Sequence, residues 1–139
     1  GCGKSFLLQE MLKIQPNLKI TGIDISSYAL SKGFKNKNLK LIKYRAETKY
    51  PFKKNYFDLV ISMGTLHNLK IFNLRKALRE IERVGKKKYI MVESYRNEKQ
   101  LFNLQCWALT CQSFFSADEW VWLFRKFKYY GDFEFIYFE

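Results

Sequence analysis

The sequence predicts an α/β fold built on a mostly parallel sheet flanked by helices, and three observations lead there. Helix-like and strand-like segments alternate along the chain. Phe57 to Met63, FDLVISM, is nearly continuous apolar chain after Asp58, the pattern of a strand buried on both faces of a parallel sheet. The polar residues able to do chemistry fall just after predicted strands, where open parallel sheets bind their ligands. A length of 139 residues suits one domain, 1–139. With 47% hydrophobic and 18% aromatic residues the chain can fill a core and is unlike a disordered segment.

The elements follow in order. Phe6, Leu7, Leu8, Met11, Leu12 and Ile14 have helical spacing and predict a helix from Ser5 to Ile14, stopped by Gln15, Pro16 and Asn17. Leu18 to Ile25 reads as a strand. Ser26 is a good N-cap for a helix to about Lys32, with Gly33 as its stop. Leu39 to Tyr44 is a second strand and Tyr56 to Met63 a third. Asn73 can cap a long helix to Val84 with Leu74, Ala77, Leu78, Ile81 and Val84 on one face, followed by Gly85. Lys88 to Glu93 is a strand, and Leu101 to Phe115 reads as helix. Ser116 and Glu119 form a capping box before a helix from Trp120 to Phe127, and Phe133 to Phe138 closes the chain as a strand.

Cys2, Cys106 and Cys111 are an odd number with no CxxC spacing, which argues against a disulfide framework or a zinc site. Cys106 and Cys111 flank an apolar run, the usual setting of buried free thiols in a reducing cytoplasm. No stretch reaches the roughly 18 apolar residues that span a bilayer, so no membrane role is expected. The net charge of +12 raises nucleic-acid binding through phosphate contacts. However, Lys outnumbers Arg 19 to 6, and Arg carries the bidentate contacts that nucleic-acid sites favour. AT-rich codons would give the same Lys, Asn, Phe, Tyr and Ile mixture, so nucleic acid is possible but not favoured.

The first motif is Gly1-Cys2-Gly3-Lys4-Ser5 at the start of a helix. Glycines allow a tight turn and close ligand approach, and the helix start offers free N–H groups. Gly3-Lys4-Ser5 matches the end of a phosphate-binding P-loop; Phe6 stands where a dinucleotide loop needs its third glycine; a short G-x-G loop also fits. Asp24 ends the strand KITGID, 21 residues after Gly3, a spacing at which an acid accepts hydrogen bonds from ribose hydroxyls. Then come Tyr44-Arg45-Ala46-Glu47, Tyr50-Pro51-Phe52 and Tyr56 to Ser62, in fixed order.

Together these motifs resemble class I S-adenosylmethionine-dependent methyltransferases, over almost the whole chain. The resemblance implies a Rossmann-like, doubly wound sheet. It implies that Gly1, Cys2 and Gly3 wrap the cofactor, Asp24 holds its ribose, Ile25 its adenine face and Ala46 or Glu47 the adenine edge. Ser62 and Met63 would line the far side. Arg45 stands where the family usually has an acid. The family's first strand, central in the sheet, and the acid before the glycine loop are not in this chain. The chain is therefore expected to be a fragment beginning inside the cofactor loop, lacking that strand and inactive by itself.

His67, the one histidine, lies in GTLHNL just past the fourth strand of the family's count, and is a candidate general base or substrate contact. Glu93, Tyr95 and Arg96 follow the strand KYIMVE and are candidate substrate contacts, Arg96 for an anionic group. Trp107, Cys111, Trp120 and Trp122 read as core. The implied chemistry is direct displacement at the sulfonium methyl, in which positioning is the enzyme's main contribution. No metal is called for. Ser62-Met63-Gly64-Thr65 stands where amino-methyltransferases of DNA and RNA often carry an NPPY-like motif, which favours a small-molecule acceptor over RNA. Oligomeric state is not legible.

Overall fold

In the computed structural model, which describes residues 1–139, helix α1 (Phe6–Ile14) precedes β1 (Ile20–Asp24), α2 (Ser27–Ser31) and β2 (Leu39–Lys43). These lie in one compact unit, Gly1–Ala46. Strands β1 and β2 pair in parallel, from Ile20 opposite Leu39 to Asp24 opposite Lys43. Gly22, at the middle of β1, is buried where a Cβ would stand 2.8 Å from Cys2 Sγ and from Leu8 Cδ1. Only glycine lets α1 and the loop before it lie so close on the strand. Ser26 caps α2 as expected, its hydroxyl accepting from Ala29 N at 3.1 Å.

The second unit, Glu47–Glu139, begins its regular structure with β3 (Phe57–Met63) and a 3-10 turn at Leu66–Asn68. There follow α3 (Ile71–Val84), β4 (Gly85–Glu93), α4 (Glu98–Trp107), α5 (Ala117–Lys126) and β5 (Asp132–Ile136). Its three strands are all parallel, in the order β3-β4-β5. Leu74, Ala77, Leu78, Ile81 and Val84 form one buried stripe on α3, the helical periodicity of the sequence realised against β3 and β4. Trp120, Leu123 and Phe124 bury the inner face of α5, and Trp120 Nε1 donates to Glu93 O at 3.2 Å. The capping box is present: Ser116 Oγ accepts from Glu119 N, and Glu119 Oε2 accepts from Ser116 N.

Several expectations are corrected. Ser5 precedes α1 in the left-handed conformation, with φ of 61°, and its hydroxyl does not cap the helix. Asn73 lies inside the first turn of α3, which starts at Ile71 after Lys70. Gly85 does stop that helix, in extended geometry with φ of −96° and ψ of 134°, and β4 starts with it, earlier than the expected Lys88. The helix expected over residues 101–115 starts earlier and is shorter. Asn97 Oδ1 accepts from Gln100 N and sets its start, while Ala108 leaves helical geometry and residues 108–115 form a loop. β3 is not buried on both faces: it ends the order of its sheet, and Asp58, Leu59 and Met63 are exposed. Cys106, Trp107 and Trp122 are exposed, whereas Cys111 and Trp120 are buried. The strands form a two-stranded sheet in the first unit and a three-stranded sheet in the second.

Candidate active site

In the first unit the glycine loop is held by backbone bonds to the end of β1. Cys2 N donates to Ile23 O at 2.9 Å, and Ser5 N to Cys2 O at 2.8 Å. Gly3 has φ of +53°, the left-handed region that glycine enters without penalty, and no atom lies within 4 Å of where its Cβ would be. Its N–H donates to Asp24 Oδ2 at 2.8 Å, and Ser26 N donates to Asp24 Oδ1 at the same distance. The aspartate thus fixes both the loop before it and the helix after it. Each carboxylate oxygen keeps lone pairs for another donor, so a sugar hydroxyl can add to these bonds. Ile25, next along, is 55% exposed, an apolar surface beside a charged acceptor.

S-Adenosylmethionine fits this set: open space at a glycine backbone, a fixed carboxylate for a ribose and an exposed aliphatic face for a purine. A magnesium-binding P-loop fits less well. In that role Ser5 would offer its hydroxyl to the metal. Here Ser5 is fully buried, and its Oγ accepts from Phe34 N at 2.8 Å and donates to Lys4 O at 2.6 Å. Burial holds the Cys2 thiol above its ordinary pKa, so it is no ready nucleophile.

Ala46 ends the first unit and Glu47 begins the second, and both are partly buried. Glu47, Lys49, Lys76, Arg79 and Glu80 line an open concavity of about 300 Å³ alongside α3. That hollow follows a helix and not the carboxyl ends of strands, so it is not where the fold puts its chemistry.

In the second unit the carboxyl ends of β3 and β4 carry the remaining candidates. Ser62 is partly buried and Met63 is exposed at the end of β3. Gly64 turns the chain there with φ of +58°, its N–H donating to Met91 O at 3.0 Å. His67, in the 3-10 turn, and Glu93, the last residue of β4, are each 3% exposed. His67 Nδ1 and Glu93 Oε2 face each other in close contact, and both atoms are buried. The His67 carbonyl accepts from Gln112 N at 2.9 Å, Ser113 N at 3.0 Å and Cys111 Sγ at 3.5 Å. Ser113 Oγ donates to Leu69 O at 2.6 Å, and Thr110 Oγ1 to Asn68 Oδ1 at 2.7 Å. The loop after α4 therefore clamps the histidine turn, a role hidden in the sequence because this segment carries a helix-like apolar run.

Two of the expected substrate contacts have other engagements. Tyr95 packs on the cluster of Leu104, Ala108 and Cys111, and burial, with Glu119 nearby, holds its phenol above the usual range. Arg96 donates to Glu139 Oε1 at 2.7 Å and stacks over the Tyr137 ring at 4.1 Å. Gln100, which the sequence did not single out, is buried and joins this cluster through Arg96 N and Glu139.

Comparison with known proteins agrees with this reading. Residues 1–129 match the family described as "Methyltransferase domain". The mouse (Mus musculus) mitochondrial protein "Arginine-hydroxylase NDUFAF5" is 30% identical over 107 residues, covering 76% of this chain and 30% of that protein. Among solved structures, a chain of the complex between the Haloferax volcanii Trm112 methyltransferase activator and a methyltransferase superposes with a TM-score of 0.76 at 20% identity. It covers 91% of this chain and 57% of that one. A structure described as a pericyclic reaction enzyme gives 0.72 at 11% identity, over 91% of this chain and 35% of that one. These two likenesses speak for the fold alone, and the chain spans well under two-thirds of the length of each of these relatives. With the match extending over nearly all its residues, the chain belongs to the class I S-adenosylmethionine-dependent methyltransferase family.

Proposed function

We propose that this protein transfers the methyl group of S-adenosylmethionine to a small-molecule acceptor by direct displacement. The observation that carries this reading is the Asp24 carboxylate gripping the Gly3 N–H at 2.8 Å beside open space at the glycine. That arrangement presents a preformed charged acceptor and an approachable backbone to one ligand. S-Adenosylmethionine supplies an electrophilic methyl group when bound. The chain's own contribution is to fix the ribose with Asp24 and to offer Ile25 to the adenine, while Ser62 and Met63 are assigned to the cofactor on the family pattern alone. Glu47 or Ala46 is assigned to the adenine edge on the family pattern alone.

A small-molecule acceptor is supported by Ser62-Met63-Gly64-Thr65 in place of an amine-gripping aromatic tetrapeptide, and by the scarcity of Arg in the +12 charge. The same fold supports other reactions: the mouse relative carries the name of an arginine hydroxylase. The deciding measurement is therefore ligand binding. Calorimetry with S-adenosylhomocysteine and with ATP–magnesium should give binding of the first only. Asp24→Ala should weaken it by about 1–3 kcal/mol, the range for losing hydrogen bonds to a charged group. Binding of ATP–magnesium in its place would overturn the proposal. A steep loss of RNA binding with added salt, alongside S-adenosylhomocysteine binding, would move the acceptor class to RNA.

A further inference from the structure

The outer face of α3 carries charge that the fold does not use. Phe72, Arg75, Lys76 and Arg79 recur at helical spacing and are all exposed, opposite the buried stripe that faces β3 and β4. Both acids of the helix are already engaged. Glu80 accepts from Arg83 Nε at 2.8 Å and from Tyr50 N at 2.6 Å, and Glu82 accepts from Lys88 Nζ at 2.7 Å. Three of the chain's six arginines lie on this one helix, at Arg75, Arg79 and Arg83. Codon bias accounts for lysine scattered along a sequence, but not for arginine gathered on one helix.

The chain before β3 adds to this surface. Arg83 donates to Phe52 O at 2.6 Å and to Tyr50 O at 2.9 Å, and Asn55 N donates to Arg83 O at 2.9 Å. These bonds lay residues 50–55 against the last turns of α3 and set the exposed Lys49, Lys53 and Lys54 beside it. Lys49, Lys76 and Arg79 meet around the concavity of about 300 Å³, together with Glu47 and Glu80. Residues 49–88 hold eleven basic and three acidic residues, two-thirds of the chain's net +12. Such a field draws in an acidic partner and repels a second copy of this chain. The shape selects among anions. A bilayer is flat and cannot enter a concavity. A nucleic-acid backbone repeats its negative charge at every unit and would meet the two glutamates of the hollow. A protein segment can place carboxylates on the cations alone. Arginine and phenylalanine are also the residues that protein interfaces enrich, and the guanidinium fork matches a carboxylate.

We propose that the outer face of α3, with the hollow beside it, docks an acidic amphipathic helix of a partner protein. Arg75 and Arg79 lie one turn apart, the spacing of two acids at i and i+4 on a facing helix. Carboxylates so placed pair with Arg75, Lys76 and Arg79. Phe72, 77% exposed and one turn before Arg75, is the apolar anchor that a leucine or similar side chain of the partner covers. Excluding water there strengthens the charged pairs beside it. This inference goes beyond the methyltransferase reading and does not depend on it.

Fluorescence anisotropy with the full chain and a designed peptide tests the surface. The peptide is about 20 residues long, enough to be helical, and carries glutamates four residues apart with a leucine one turn away. A second peptide of the same composition spreads its glutamates around the helix. Salt is held near 0.15 M, where charges more than about 8 Å apart are screened. The expected result is saturable binding of the first peptide, about tenfold weaker for the second. Arg75→Glu with Arg79→Glu should weaken the first by about tenfold or more, and Phe72→Ala by about threefold. Lys99→Glu with Lys126→Glu makes the same change of charge at exposed positions elsewhere in the unit and should leave binding within about twofold. Absence of saturable binding, equal binding of both peptides, or an equal loss in the Lys99 and Lys126 control would overturn the proposal. So would tighter binding, through the same arginines, of an oligouridylate or of phosphatidylglycerol vesicles. Circular dichroism checks the fold of each variant, and if the double arginine variant does not fold, Lys76→Glu gives the same readout.

Discussion

Asp24 does two jobs with one carboxylate. One oxygen holds the glycine loop through Gly3 N, and the other starts α2 through Ser26 N. Asp24→Asn keeps one oxygen acceptor and loses the other, so it should weaken S-adenosylhomocysteine less than Asp24→Ala does, by calorimetry. A ligand role without the loop role would make the two variants equal. Gly131, just before β5, is constrained differently. An added Cβ would stand 2.6 Å from Lys88 Cβ and 2.7 Å from Lys88 O, and a backbone oxygen cannot swing away. Gly131→Ala should cost about 1–3 kcal/mol in a denaturant melt, the usual penalty of overpacking. Single residues were unevenly legible beforehand. The turn at Gly3 could be read because glycine's backbone freedom is local, and Asp24 could be placed at a strand end from the apolar run before it. The partnership of His67 with Glu93 could not, because it is made across a sheet by residues far apart in the chain. The pairing of Arg96 with Glu139 was hidden for the same reason, since the two are remote in sequence.

At the scale of elements, local chemistry predicted best where the bonds are local. The Ser116–Glu119 box is made by residues three apart, and it formed as read. Ser116→Ala should therefore lower stability by about 0.5–2 kcal/mol, measured by thermal or denaturant unfolding. The stripe on α3 was equally plain, since its five buried residues repeat at helical spacing. Boundaries failed where tertiary bonds override pattern. Residues 108–115 are apolar enough for helix, yet Gln112 and Ser113 give their N–H groups to the His67 carbonyl and so leave the helical ladder. Apolar content likewise overstated the burial of β3, because a strand's partners are set by sheet order and not by its own residues. Arg83 shows the same tertiary control: its guanidinium reaches Phe52 O at 2.6 Å and Tyr50 O at 2.9 Å, pinning the segment before β3.

For the whole molecule, acid sensitivity follows from Glu80. The side-chain hydrogen bond from Arg83 is the largest cause holding its carboxyl below the ordinary 4.5, opposed by partial burial and helped by the Tyr50 N–H. A depressed carboxylate contributes stability that is present above the unfolded value and lost as pH falls through the folded one. Stability should thus decline below about pH 4.5, and Glu80→Gln should flatten that limb in urea melts taken at several pH values. The sheets carry a further consequence, for the rate at which the chain folds. Every strand pair is parallel: Ile20 meets Leu39, Phe57 meets Gly85 and Tyr89 meets Asp132. No hairpin exists to form first, and each ladder waits until an intervening helix has brought distant segments together. Ordering must precede reward, so refolding should lack a microsecond hairpin phase and run on the slower timescale of topologies rich in distant pairings. During that delay bare strand edges are open to the wrong neighbour, and recovery from denaturant should fall as protein concentration rises.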